Sequence, residues 1–92
     1  MAYNRDLSVS RLTITGLHKM RAESYAGLGQ QSMQHRALAE VFALQGQTAV
    51  AVEQLNLAQR AADANFYEMS SIDARLRELK RRLLEEMKER RN

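Results

Sequence analysis

Apolar residues recur along this chain at the three- and four-residue intervals of an α-helix. Nowhere do they alternate with polar residues between two turn signals, as a half-buried strand would require. The pattern predicts four helices, over about 7–27, 30–44, 48–62 and 66–89. The first is weakened near its start by Thr13, Ile14, Thr15 and Gly16. Gly29 and Gly46 punctuate the first three helices, and a turn around Asp63, Ala64 and Asn65 precedes the fourth. Connections this short force consecutive helices to run antiparallel.

A repeat underlies the pattern. Residues 18–30 read HKMRAESYAGLGQ and residues 35–47 read HRALAEVFALQGQ, so a shift of 17 superposes His18 on His35, Ala22 on Ala39, Glu23 on Glu40, Ala26 on Ala43, Gly29 on Gly46 and Gln30 on Gln47. Seventeen is half of a helix–turn–helix period of about 34 residues. In each copy the alanines and one ring (Ala22, Tyr25 and Ala26, then Ala39, Phe42 and Ala43) fall on one helical face. Small alanines allow close helix approach and the ring fills the space beside them. The glycines sit where a helix needs a left-handed terminating residue. An unbroken rod through Gly29 and Gly46, or rings turned to solvent, would defeat this reading.

Composition agrees. The 92 residues include no proline and few glycines, and Ala, Leu, Glu, Gln, Arg and Met predominate. One all-α domain spanning 1–92 is expected, with a thin core, since a chain this short buries only about 60% of its unfolded surface. No cysteine is present, which removes disulfides, thiolate metal sites and cysteine nucleophiles. No apolar run approaches the roughly 20 residues that cross a bilayer, so membrane insertion is not expected, and the polar start MAYNRDLSVS is not a signal peptide. The net charge is +3, but Arg75, Arg77, Lys80, Arg81 and Arg82 are interleaved with Glu. A phosphate-binding stripe would be of one sign, so nucleic acid is not an expected partner.

The second repeat unit resembles a known pattern. His35-x-x-Leu38-Ala39-x-x-Phe42, followed by Gly46, Ala51, Leu55 and Ala58, is similar to the tetratricopeptide repeat with its W-x-x-L-G-x-x-Y opening. His35 replaces the Trp, Ala39 the Gly, and Asp63 the usual terminal Pro. The likeness implies antiparallel helix pairs stacked as a short right-handed solenoid. More narrowly, RAESYAGLGQ, HRALAEVFALQGQTAVAVEQLNLA and FYEMSSIDARLREL resemble the C-terminal region of BepA/YfgC-like bacterial zinc metallopeptidases, over roughly residues 18–80 and most specifically at Asp73-Ala74-Arg75-Leu76. Their HExxH motif is missing here. The resemblance therefore implies a non-catalytic tail, with zinc confined to a protease domain that this chain lacks. It further implies a periplasmic location and a role in outer-membrane protein quality control. The implied partner is a protein or peptide, whether the parent's own protease domain or the outer-membrane assembly machinery.

Candidate chemistry is sparse. His18 and His35 lack the further ligands of a zinc site and read as seam residues, so no cofactor is expected in this chain. Ser24, Ser32, Ser70 and Ser71 have no visible base, and Glu85 and Glu86, being adjacent, point to different faces of a helix. Ser70 with Asp73 reads as a helix cap. No enzymatic activity is expected. Lys19/Glu23 and Arg36/Glu40 recur in one register, which in a tetratricopeptide stack faces the concave surface; with Leu44 they are the candidate partner-binding residues. The competing reading is a local ion pair in each helix, contributing about 0.2–0.5 kcal/mol.

The last helix carries Ile72, Leu76, Leu79, Leu83 and Met87 on one stripe, with supporting pairs Glu78–Arg82 and Glu86–Arg90. It is expected to cap the stack by burying Ile72, Leu76 and Leu79, anchored by Phe66, Tyr67 and Met69 and ending in a charged tail. The rival is a homodimeric coiled coil through residues 72–87. A short array also leaves open the apolar face on which an upstream repeat would stack, so the isolated chain is expected to self-associate.

Overall fold

The structure, a computed structural model, describes residues 13–91. Among these residues lie four α-helices and no strand: α1 (Ile14–Gly27), α2 (Gln31–Leu44), α3 (Thr48–Arg60) and α4 (Phe66–Arg91). The part of the first predicted helix over residues 7–12 falls outside the described residues. Where that helix is weakened by Thr13 to Gly16, a boundary appears. Thr13 is extended (φ −71°, ψ 160°) and its side-chain oxygen accepts a hydrogen bond from the Gly16 amide at 3.1 Å, capping α1.

The α1–α2 and α2–α3 turns are copies of one another. Gly29 (φ +73°) and Gly46 (φ +79°) are left-handed. The Gln30 amide donates to the Tyr25 carbonyl at 2.9 Å and the Gly29 amide to that of Ala26 at 3.1 Å; Gln47 to Phe42 (2.8 Å) and Gly46 to Ala43 (3.1 Å) repeat the arrangement. These crossed bonds satisfy carbonyls that a helix end leaves bare. Gln30 and Gln47 then become the first residues flanking the next helix, whose Gln34 and Ala51 amides donate to their carbonyls.

The third connection is built differently. α3 stops at Arg60, two residues before the predicted end, because Ala62 adopts φ +63°. Asn65 and Glu68 then form a reciprocal cap: the Glu68 amide donates to Asn65 Oδ1 (2.8 Å) and the Asn65 amide to Glu68 Oε1 (2.9 Å). The cap expected at Ser70 and Asp73 is thus displaced by five residues. Ser70 is exposed inside α4, and Asp73 accepts from Gln59 Nε2 of α3 at 2.6 Å.

Asp63 does more than mark a stop. Its carboxylate accepts from the Gln31 amide (2.6 Å) and the Ser32 amide (2.8 Å), capping α2 from across the hairpin. The Ser32 hydroxyl beside it, that same residue's amide and the Gln31 amide hold the Asp63 carboxyl below its ordinary value. Because the hydroxyl's one proton also reaches the Ala58 carbonyl at 3.0 Å, the two amides are the fixed donors.

These contacts establish direction. Asp63 brings the end of α3 to the start of α2, while Thr48 Oγ1 donates to Glu86 Oε2 at 3.0 Å and ties the start of α3 to the far part of α4. Neighbouring helices therefore run antiparallel, and α2 and α4 run parallel. The core lies among α2, α3 and α4: Ala39, Ala43, Ala51, Leu55, Ala58, Ile72, Leu76 and Leu79 are buried with Val52, and Phe42, Ala64 and Leu83 flank them. Fully burying Leu55, Ile72 or Leu79 stabilises by about 2–3 kcal/mol each. Ala37 and Val41 are buried on the opposite side of α2, where α1 packs with Ala22 buried.

Two expectations fail at the periphery. Phe66 and Tyr67 do not anchor α4 to α3; they are 79% and 82% exposed and meet only edge to face, centroids 5.8 Å apart. Met69 alone of the three is half-buried. The asymmetry between repeats is the second. Ala43 is buried but Ala26 is exposed, because among the described residues α2 has a helix on both sides and α1 on one only.

Candidate protein-binding surface

Arg36 and Glu40 do not pair with each other. Glu40 is held in a fork by Arg75 of α4, Nε to Oε1 at 2.6 Å and Nη2 to Oε2 at 2.9 Å, and Arg36 Nε donates to Ser71 Oγ at 2.9 Å. Arg75 Nη1 also meets Glu78 at 2.9 Å, so neither the expected Glu78–Arg82 nor the expected Glu86–Arg90 pair forms among the described residues. With side chains 20% and 14% exposed, the Arg75–Glu40 fork is largely withdrawn from water. Two charge-assisted bonds in parallel geometry fix the separation and rotation of α2 against α4. Leu38 is half-buried on α2, and Leu44, two turns beyond Arg36, is exposed.

Lys19 and Glu23 are exposed on α1 and form no ion pair among the described residues. They do not join Arg36 and Glu40. Successive helices run antiparallel, so the same offset from the inward alanine falls on opposite surfaces of the layer. On the Arg36 side, α1 contributes His18, Arg21 and Tyr25, which with Met33, Arg36 and Ala37 line a cavity of about 90 Å³. Lys19 and Arg21, two residues apart, point about 160° away from each other on the helix. Burial lowers the His18 pKa, as do Arg21, Arg36 and Arg75; Glu40 opposes them. His35 faces elsewhere: its Nδ1 donates to Gln54 Oε1 of α3 at 2.8 Å. The two histidines thus engage different neighbours.

A second surface lies on the first helix of the array, where an open apolar face is expected from the sequence without its residues being specified. On the outer face of α1, Leu17, Met20, Arg21, Ser24, Tyr25 and Leu28 line an open groove of about 390 Å³, which shares Arg21 and Tyr25 with the smaller cavity. The signals in the sequence are the shortness of the array and the apolar residues lying off the alanine face of the repeat. Arg75, Ser71 and Asp63 were equally invisible as partners of α2, because their bonds span 31 to 35 residues.

The chain matches no protein-family profile, and neither a curated protein nor a solved structure is significantly similar to it.

Proposed function

We propose that this chain is a non-catalytic protein–protein interaction module, a tetratricopeptide-like scaffold whose helices stack with a right-handed sense and whose end is closed by α4. The observation that carries the reading is the joining of α2 and α4. Two parallel helices are fastened side by side by Arg75–Glu40 and Arg36–Ser71 over a shared third helix. Such an arrangement offers a preformed surface, from the His18–Arg21 cavity across Arg36 to Leu44, that loses little conformational entropy when a peptide settles on it. The likeness to BepA/YfgC-like peptidases supplies the setting we favour. There the module would sit in the periplasm beside a zinc-dependent protease domain and engage that domain or the outer-membrane assembly machinery.

A homodimer through residues 72–87 has less to draw on. Ile72, Leu76 and Leu79 are buried in the chain's own core and Leu83 packs against it, leaving only Met87 of the stripe exposed to a second copy.

The test is peptide selection from a displayed random library, followed by NMR shift mapping on the full chain. Shifts gathered on Arg36, Glu40, Leu44 and Arg75, with binding abolished by Leu44→Asp, support the module. If no selected peptide binds above background, or the shifts scatter, the reading fails. Parentage is checked separately, by whether the coding sequence upstream of Met1 specifies HExxH and a signal peptide.

A further inference from the structure

We propose that the outer face of α1 docks an acidic amphipathic helix of another polypeptide, whose apolar side chains cover Leu17, Met20 and Leu28 and whose carboxylate meets Arg21. This rests on the interaction-module reading and gives it a second surface with a stated partner chemistry.

Among the described residues α1 packs against α2 alone. On this one helix Ile14, Leu17, Met20 and Leu28 remain 64%, 45%, 50% and 70% exposed. Ile14, Leu17, Arg21, Ser24 and Leu28 follow helical three- and four-residue steps, so they form one stripe about 21 Å long. A grooved stripe of this kind, apolar at Leu17, Met20 and Leu28 and polar at Arg21 and Ser24 between them, is the form of a helix-docking surface.

Charge identifies the occupant. Arg21 lies midway along the stripe and meets no carboxylate among the described residues. Its neighbour across the cavity, Arg36, adds positive character. Glu40 cannot neutralise it, since both its oxygens are taken by Arg75. A partner that covers the apolar positions must therefore bring its own negative charge to the middle of the contact.

A second copy does not supply it. Antiparallel pairing of α1 with itself, centred between Ile14 and Leu28, sets Arg21 against Arg21. Head-to-tail stacking would present the outer side of α4, where Arg77, Lys80, Arg81 and Lys88 outnumber the interleaved Glu78, Glu85 and Glu89, so that this side stays net positive toward the same arginine. Like charges facing each other suppress a partner, and the chain's net charge of +3 acts in the same direction.

The experiment titrates the full chain into fluorescein-labelled helical peptides of about 15 residues, long enough to match the stripe. Each carries leucines at helical spacing and a central Glu, Gln or Lys, and anisotropy gives Kd. The Glu peptide should bind at least about ten-fold tighter than the Lys peptide, and Arg21→Glu should reverse that order. Leu17→Ser and Leu28→Ser should weaken both peptides without changing helicity by circular dichroism, whereas Leu44→Asp, on the α2–α4 surface, should leave the Glu peptide's affinity unchanged. Equal affinity for Glu and Lys peptides, or indifference to Arg21→Glu, overturns the proposal while leaving the α2–α4 surface standing. So does a wild-type dimer in sedimentation that Leu28→Ser dissolves, which makes a second copy the occupant. A gain in Glu-peptide affinity on Leu7→Ser with Val9→Ser also overturns it, because the chain's own N-terminal residues then compete for the groove.

Discussion

At Ala62 the backbone adopts a left-handed conformation that an L side chain resists, and two glycines elsewhere adopt it freely. Ala62→Gly should therefore raise stability by about 0.5–1 kcal/mol in urea melts, while Gly46→Ala should lower it by about 1 kcal/mol. Nothing lies within 4 Å of a Cβ added at Gly46, so the loss there is conformational and not steric. Asp63 makes a second residue-scale prediction. Its carboxyl is depressed in the folded chain, so its contribution is present above the ordinary value of 3.8 and disappears as pH falls through the lower folded value. Thermal melts across that range should show wild type losing more stability on acidification than Asp63→Asn, with the two curves converging in acid.

Between elements, the Arg75–Glu40 fork is the strongest polar tie. Removing Arg75 strands a Glu40 carboxylate that is mostly out of water, and removing Glu40 takes two charge-assisted bonds and leaves Arg75 only Glu78, so Glu40→Ala should cost about 1.5–3 kcal/mol. The double variant with Arg75→Ala should cost less than the two single effects added, a coupling read from a double-mutant cycle in urea. This scale also shows what local pattern conveys. Alanine and ring spacing marked the buried face of α2 and Ala22 of α1, though not Ala26, and the 17-residue repeat marked both glycine turns, since these depend on residues within one helix length. Glu40 was legible as a polar position but not as the partner of Arg75, because nothing in the spacing of either helix encodes a contact 35 residues away. The anchoring assigned to Phe66 and Tyr67 failed for a related reason. Asn65 and Glu68 set the start of α4, and the helical phase from that point turns both rings outward.

For the molecule as a whole, stability is unevenly shared. α2, α3 and α4 enclose a common core, whereas among the described residues α1 leans on α2 alone. Opening α1 should therefore require less free energy than global unfolding. Ala22→Asp, which places a charge in the α1–α2 seam, should remove about a fifth of the helical signal and leave a cooperative α2–α4 unit. Hydrogen exchange should show the same order, with amides of α1 exchanging well ahead of those in α3. A single transition with uniform protection across all four helices would contradict this division.

The Asp63 contact has a mechanical corollary. The α2–α3 hairpin is closed at one end by the Gly46 turn and at the other by a carboxylate clasped to the Gln31 and Ser32 amides. Under tension applied at the two termini, α1 would peel away first and α4 would unzip along its length. The hairpin would then be pulled open from its clasped end, so that the Asp63 carboxylate carries the load before α2 and α3 part, and in a single-molecule pulling trace it should be the last segment to give way.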